Sequence, residues 1–122
     1  VVNAKFEELW SKLQVGDGIK DYENLIAESF KAAGGELFDG YVCVNISAFY
    51  KIPKATTKEK RGLIERGYIK PAVKPDIDNV VKAVLDGLNS VAYHDDNQVI
   101  KVTAEKHYAN EPFVAVEVFN YE

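Results

Sequence analysis

The chain has 122 residues, 47% hydrophobic and 28% charged, the composition of one soluble globular domain spanning 1–122, since two would leave each core too small. No apolar run approaches the roughly 20 residues that cross a bilayer, and no basic-then-apolar leader opens the sequence. The lone Cys43 excludes a disulfide framework and a zinc module, so a cytoplasmic protein is expected. The net charge of −4 argues against a nucleic-acid binder, yet residues 51–74 carry eight basic side chains against Glu59 and Glu65, leaving that segment at +6 and the remainder at −10. There is no methionine, so Val1 is expected to lie downstream of the translation start.

Phe6, Leu9, Trp10 and Leu13 recur at i, i+3, i+4 and i+7, which predicts a short helix after an Asn3 cap, ending before Gly16 and Gly18. A stronger helix is predicted over 21–33, with Tyr22, Leu25, Ile26, Phe30 and Ala33 on one stripe and Gly34-Gly35 as its stop. From Tyr41 to Tyr50 the period changes to two. Val42, Val44, Ile46 and Ala48 share one face and Cys43, Asn45 and Ser47 the other, the pattern of a half-buried strand.

The basic segment follows. Thr56 and Glu59 have capping-box spacing ahead of Leu63 and Ile64, with Gly67 as terminator, so a short, exposed, basic helix is predicted. Such a helix suits a metal nuclease, which holds a polyanion beside carboxylates that collect cations; a merely solvated face has the same composition. After Pro75, the stripe Val80, Val81, Val84, Leu85 and Leu88 has helical period, so a further helix begins near Asp76 to Asp78. Two alternating stretches close the chain, Ile100, Val102 and Ala104, then Val114, Val116 and Val118. The Asn110-Glu111-Pro112 turn between them predicts an antiparallel hairpin. This order suggests an α+β (mixed α/β) domain, a small sheet with helices packed against it.

Asp76 and Asp78 fall at a helix amino terminus, where one aspartate caps free N–H groups and both meet the positive end of the dipole; two exceed what one cap requires. The second acidic point, Tyr93-His94-Asp95-Asp96-Asn97-Gln98, reads as a turn that can return a carboxylate to the first pair. Three converging carboxylates repel one another unless a hard divalent cation, magnesium by preference, lies between them. Lys82, one turn after Asp78, suits either an i,i+4 pair with Asp78 or Asp86 or a contact to a phosphate whose negative charge grows in the transition state. His94 and His107 read as a turn residue and an outward strand residue.

The run Lys74-Pro75-Asp76-Ile77-Asp78-Asn79 with Lys82, then Leu85-Asp86-Gly87-Leu88-Asn89, then Asp95-Asp96-Asn97-Gln98-Val99 resembles, in order, spacing and flanks, the signature of the RusA family of Holliday junction resolvases. The resemblance is close from about Tyr41 to the carboxy terminus. It implies a Mg2+-dependent endonuclease, with Mn2+ as substitute, that cuts four-way DNA junctions in recombination and repair, in a phage or prophage setting. It also implies that Asp76, Asp78 and Asp96 bind the metal, that Lys82 is required for cleavage, and that the enzyme is a homodimer. Lys58, Lys60, Arg61, Arg66, Lys70 and Lys74 are the candidate DNA contacts, and Trp10, Phe49 and Phe119 the candidate interface.

One departure stands out: family members open with a strand and a basic, proline-containing loop, and neither is legible over 1–18. Either residues ahead of Val1 are missing from the sequence, which leaves the enzyme intact, or the start is divergent, which makes a catalytically weak or inactive junction-binding protein the alternative. A sugar-nucleotide transferase, the other D-x-D reading, fits poorly because the motif opens a helix after a basic loop and the chain leaves little room for a nucleotide domain.

Overall fold

Val42–Lys51 forms the central strand because its alternation is complete: Val42, Val44, Ile46, Ala48 and Tyr50 are all buried on one face. The computed structural model describes residues 2–6 and 19–121. In chain order these form β1 (Val2–Phe6), α1 (Ile19–Ala32), β2 (Val42–Lys51), α2 (Lys58–Glu65), α3 (Ile77–Leu88), a 3-10 turn (Asp96–Gln98), β3 (Val99–Ala109) and β4 (Phe113–Asn120). The four strands make one mixed sheet in the order β1-β4-β2-β3, with β2 parallel to β3 and antiparallel to β4. The result is the α+β arrangement expected, and none of the described helices is long and apolar enough to cross a membrane.

Helices α1 and α3 lie on the apolar face of the sheet. Tyr22, Ile26 and Phe30 from α1 and Val80, Ala83, Val84 and Leu88 from α3 join the inward residues of β2 and β4 in one buried cluster. The two helices approach closely at Gly87, where an added Cβ would stand 2.8 Å from Ile26 Cβ and 3.1 Å from the Glu23 carbonyl oxygen. The opposite face of the sheet is more polar, with Asn45 bonded to Glu117 (2.9 Å) and to Thr103 (2.6 Å). There Phe49 stacks against His107 and Phe113, at centroid separations of 5.2 and 4.3 Å.

Three expectations are corrected. Residues 2–6 are a strand, not the start of a helix: Val2 to Phe6 pair antiparallel with Val118 to Val114 of β4, so the chain does open its described part with a strand. Pairing with β4 gives those backbone groups partners that an isolated turn of helix lacks. The rest of that predicted helix, with Leu9, Trp10, Leu13, Gly16 and Gly18, lies outside the described residues. Second, β3 and β4 run antiparallel but are not a hairpin, because β2 lies between them. The four steps from Ala109 to Phe113 reach about 14 Å, enough to cross two strand spacings of about 4.8 Å each. This leaves β3, with exposed Ile100 and Val102, at the edge, and the most apolar strand in the middle. Third, the cap of α2 is Thr57, whose hydroxyl accepts from Lys60 N–H, while Thr56 donates to the Pro53 carbonyl. Gly67 ends the helix as expected, at φ 80°, with Gly67 and Tyr68 N–H groups returning to Ile64 and Leu63.

Candidate active-site cleft

A parallel pair cannot be joined by a tight turn, so the chain crosses over from β2 to β3 through residues 52–98. That crossover carries every predicted site residue. Its first part is the basic arm: Lys58, Lys60 and Arg61 on α2, Arg66 at its C-cap, then Lys70 and Lys74 in the segment that leads to α3. All of these except the half-buried Arg61 are exposed.

The arm rejoins the body at 73–76. Lys106 from β3 donates to the Val73 carbonyl (2.7 Å) while its Nζ sits 4.8 Å above the Tyr50 ring, and the Tyr50 hydroxyl donates to the Pro75 carbonyl. Asp76 follows at the N-cap of α3. Its backbone carbonyl accepts from Asn79 and Val80, but its side chain makes no capping bond, so the capping role open to it in the sequence is not taken. The carboxylate is exposed and close enough to Tyr50 that, after burial as the larger cause, its charge helps push that phenol up to about 12.

At the other end of α3, Tyr93 is buried and its hydroxyl donates to the Leu85 carbonyl (2.6 Å). Burial does most to push its pKa up and keep the phenol neutral, with the charges of Asp96 and Asp86 adding to the effect. The turn that follows divides the labour of its two aspartates. Asp95 is a cap: its carboxylate accepts from Asn97 N–H (3.1 Å) and completes a capping box with Gln98. That bond, with a second shared with Asp96, holds Asp95 below the usual carboxylate range. Asp96 is held above it by the shared bond, by some loss of hydration and by the negative charges of Asp95 and Asp86.

Between these ends runs an open cleft of about 600 Å³ lined by Asp78, Val81, Lys82, Leu85, Asp86, Asp96, Val99 and Val102. The fold therefore brings Asp78, Lys82 and Asp96 to one concavity and leaves Asp76 just outside its lining. Lys82 is paired with Asp86 rather than Asp78, loosely at 3.9 Å, and its side chain remains 75% exposed. Asp78 and Asp86 are just over two turns apart on α3, about 12 Å along its axis. Asp86, toward the far end of α3, lies close enough to Asp96 for its charge to act on that carboxyl. Among the described residues no three carboxylate, imidazole or thiol groups stand close enough together to hold a metal ion. The donors are all hard oxygen, the type that a divalent cation such as magnesium takes, but one chain in this arrangement does not assemble three of them.

Residues 3–119 match the RusA family, described as endodeoxyribonuclease RusA, and the chain belongs to that family. Among its relatives is YqaN of Bacillus subtilis (strain 168), an uncharacterized protein 35% identical over 101 residues, covering 81% of this chain and 70% of that one.

Sequence reasoning gives no role in the cleft to four residues that shape it. Asp86 reads from the sequence as a partner for Lys82 and is also a wall of the cleft. Gln98 enters the sequence argument only as part of a motif. Tyr50 and Lys106, which clasp the backbone before Asp76, carry no signal in a single sequence, because their relevance depends on a sheet contact with a segment 25 or more residues away. His94 is a turn residue, as expected, with its Nε2 3.1 Å from Asp39, and His107 packs on the outer face of the sheet.

Proposed function

We propose that this protein is a magnesium-dependent endonuclease that resolves four-way DNA junctions by paired phosphodiester cleavage in recombination and repair, acting as one domain over residues 1–122, in the cytoplasm. The observation that carries the reading is that, in a chain of the RusA family, Asp78, Lys82 and Asp96 line one cleft directly after a basic arm. Asp76, Asp78 and Asp96 would hold the cation, with Mn2+ able to replace Mg2+. A bound divalent cation would offset the charge of the phosphate and favour a nucleophilic water. The remaining work falls to the protein. Lys58, Lys60, Arg61, Arg66, Lys70 and Lys74 would bind phosphates of the junction arms irrespective of sequence. Lys82 would stabilise the charge that grows on the reacting phosphate.

A homodimer is part of this reading. A four-way junction is resolved by two cuts related by an approximate twofold axis, each chain carries one acidic set, and an isologous pair matches that symmetry. The absence, among the described residues, of three carboxylates close enough together to hold an ion favours a second reading, a junction-binding protein of weak or no turnover. The two are separated by incubating the chain with a synthetic four-way junction and a linear duplex, with Mg2+ or with EDTA. Symmetric cuts in the junction that need Mg2+, and that disappear in Asp76→Asn, Asp78→Asn and Asp96→Asn, are expected. Tight junction binding with no cleavage in any divalent cation would establish the second reading.

A further inference from the structure

The turn that presents Asp96 is held by one side-chain amide. The Gln98 Nε2 donates to the Phe38 carbonyl (2.8 Å) and to the Gly40 carbonyl (3.0 Å), while its Oε1 accepts from His94 N–H (2.7 Å) and Asp95 N–H (3.1 Å). A primary amide has two N–H donors and a carbonyl oxygen with two lone pairs, so all of its capacity is taken up by backbone. Each bond constrains a different point. Two fix the amide to the 38–40 loop, and two draw the backbone on either side of the His94–Asp95 peptide toward it. Other contacts stitch the same loop to the same turn: Phe38 N–H to the Ala92 carbonyl (2.8 Å), a parallel bridge between Phe38 and Tyr93, and His94 Nε2 with Asp39 (3.1 Å).

We infer that Gln98 is a positioning residue for the reaction: it sets where the Asp96 carboxylate points by tying the 94–98 turn to the 38–40 loop. Asp96 is exposed and follows a residue that is itself a cap, so its direction is not fixed by packing. Without the amide, the turn keeps the Asp95 cap and the loop keeps its contacts at Ala92, Tyr93 and His94, but the four bonds that fix the backbone at 94–95 against the 38–40 loop are lost. Neither Glu nor Met repeats this bonding, because a carboxylate lacks the two donors and a thioether offers only a weak acceptor. The inference rests on Asp96 being a metal ligand, and its test keeps the two claims apart.

Mn2+ is titrated into the full-length parent, Gln98→Met, Gln98→Glu and Asp96→Asn, and free Mn2+ is read by its electron paramagnetic resonance signal, alongside junction cleavage and melting temperature. Gln98→Met is expected to weaken Mn2+ binding by tenfold or more and to raise the Mn2+ concentration needed for half-maximal cleavage by a similar factor, with junction binding in EDTA unchanged. Gln98→Glu, which can still accept from the two backbone N–H groups but has no N–H to donate, serves as the second variant should the methionine form fold poorly, and is expected to shift Mn2+ binding in the same direction. A purely structural role would lower the melting temperature and leave the Mn2+ affinity of the folded protein at the parental value, and that result overturns the inference. If Asp96→Asn binds Mn2+ as the parent does, the ligand assignment fails and the inference with it. If Asp96→Asn no longer binds Mn2+ while both Gln98 variants retain it, the positioning role alone fails.

Discussion

Lys82 has the least built around it of the candidate residues. Its ammonium meets Asp86 at 3.9 Å with most of the side chain in water, and an exposed i,i+4 pair of that kind contributes about 0.3–0.5 kcal/mol. Stability therefore gives little reason for a lysine here, and its place on the cleft wall gives another. Lys82→Ala is expected to slow cleavage by well over tenfold while junction affinity and the urea midpoint stay near parental values. Equal rates for mutant and parent, measured under single-turnover conditions, would return Lys82 to the role of surface pair. At this scale the sequence is informative where a residue's place follows from its neighbours in the chain: spacing sets Asp76 and Asp78 at the start of a helix, while Asp96 is chosen over Asp95 only by the family resemblance. It is silent on Gln98 and Lys106, whose partners are distant backbone carbonyls.

Among the elements, those with an unbroken period are legible. The helix predicted over 21–33 is observed as Ile19–Ala32, and the strand predicted over 41–50 as Val42–Lys51. The strand β1 is not legible, because Phe6 fits a helical repeat with Leu9, Trp10 and Leu13 as well as it fits a five-residue strand; the choice belongs to β4, which supplies the partner groups. Nor is the separation of β3 from β4, since a short turn between alternating segments reads as a hairpin whenever the strand that intervenes comes from earlier in the chain. The glycine of Leu85-Asp86-Gly87-Leu88 acquires a physical reason only in the structure, where Ile26 leaves no room for a methyl group. Gly87→Ala gains about 1 kcal/mol of helix propensity, but overpacking against a β-branched residue typically costs about 1–3 kcal/mol. A net loss of stability is expected in urea denaturation, and a stabilised variant would show that α1 and α3 separate easily. For the basic arm, replacing Lys58, Lys60, Arg61, Arg66 and Lys70 by glutamine should weaken binding to all DNA sequences alike. It should also flatten the plot of log affinity against log salt by up to about 0.9 for each phosphate that is no longer neutralised. An unchanged slope would place the DNA elsewhere.

For the whole molecule, the charge distribution is the property with the longest reach. The +6 arm and the acidic cleft adjoin along the chain, so under the proposed function DNA drawn to the first would be delivered to the second, and divalent cations drawn to the second would remove the repulsion that otherwise opposes that delivery. Chelation should therefore weaken junction binding more at low salt than at high salt. The proposed assembly is tested by light scattering at micromolar concentration, where twice the monomer mass of 13.6 kDa is expected without DNA and that mass plus one junction with it. A strict monomer that still made both cuts in one binding event would exclude the dimer. Of the interface candidates, Phe49 and Phe119 lie on the face of the sheet turned away from α1 and α3, and Trp10 is outside the described residues.

The strand order also governs how this chain is made. β4 is last among the described strands in sequence and second in space, seated between β1 and β2. During synthesis from the amino terminus, β1 has no neighbour and β2 has an open edge until Phe113–Asn120 has left the ribosome. The nascent polypeptide therefore carries unpaired strand edges and an unfilled apolar face until residues 113–120 emerge, and the sheet closes in one late step of this domain's synthesis. A premature stop anywhere before residue 113 yields a product for the cell's proteases, not a smaller domain.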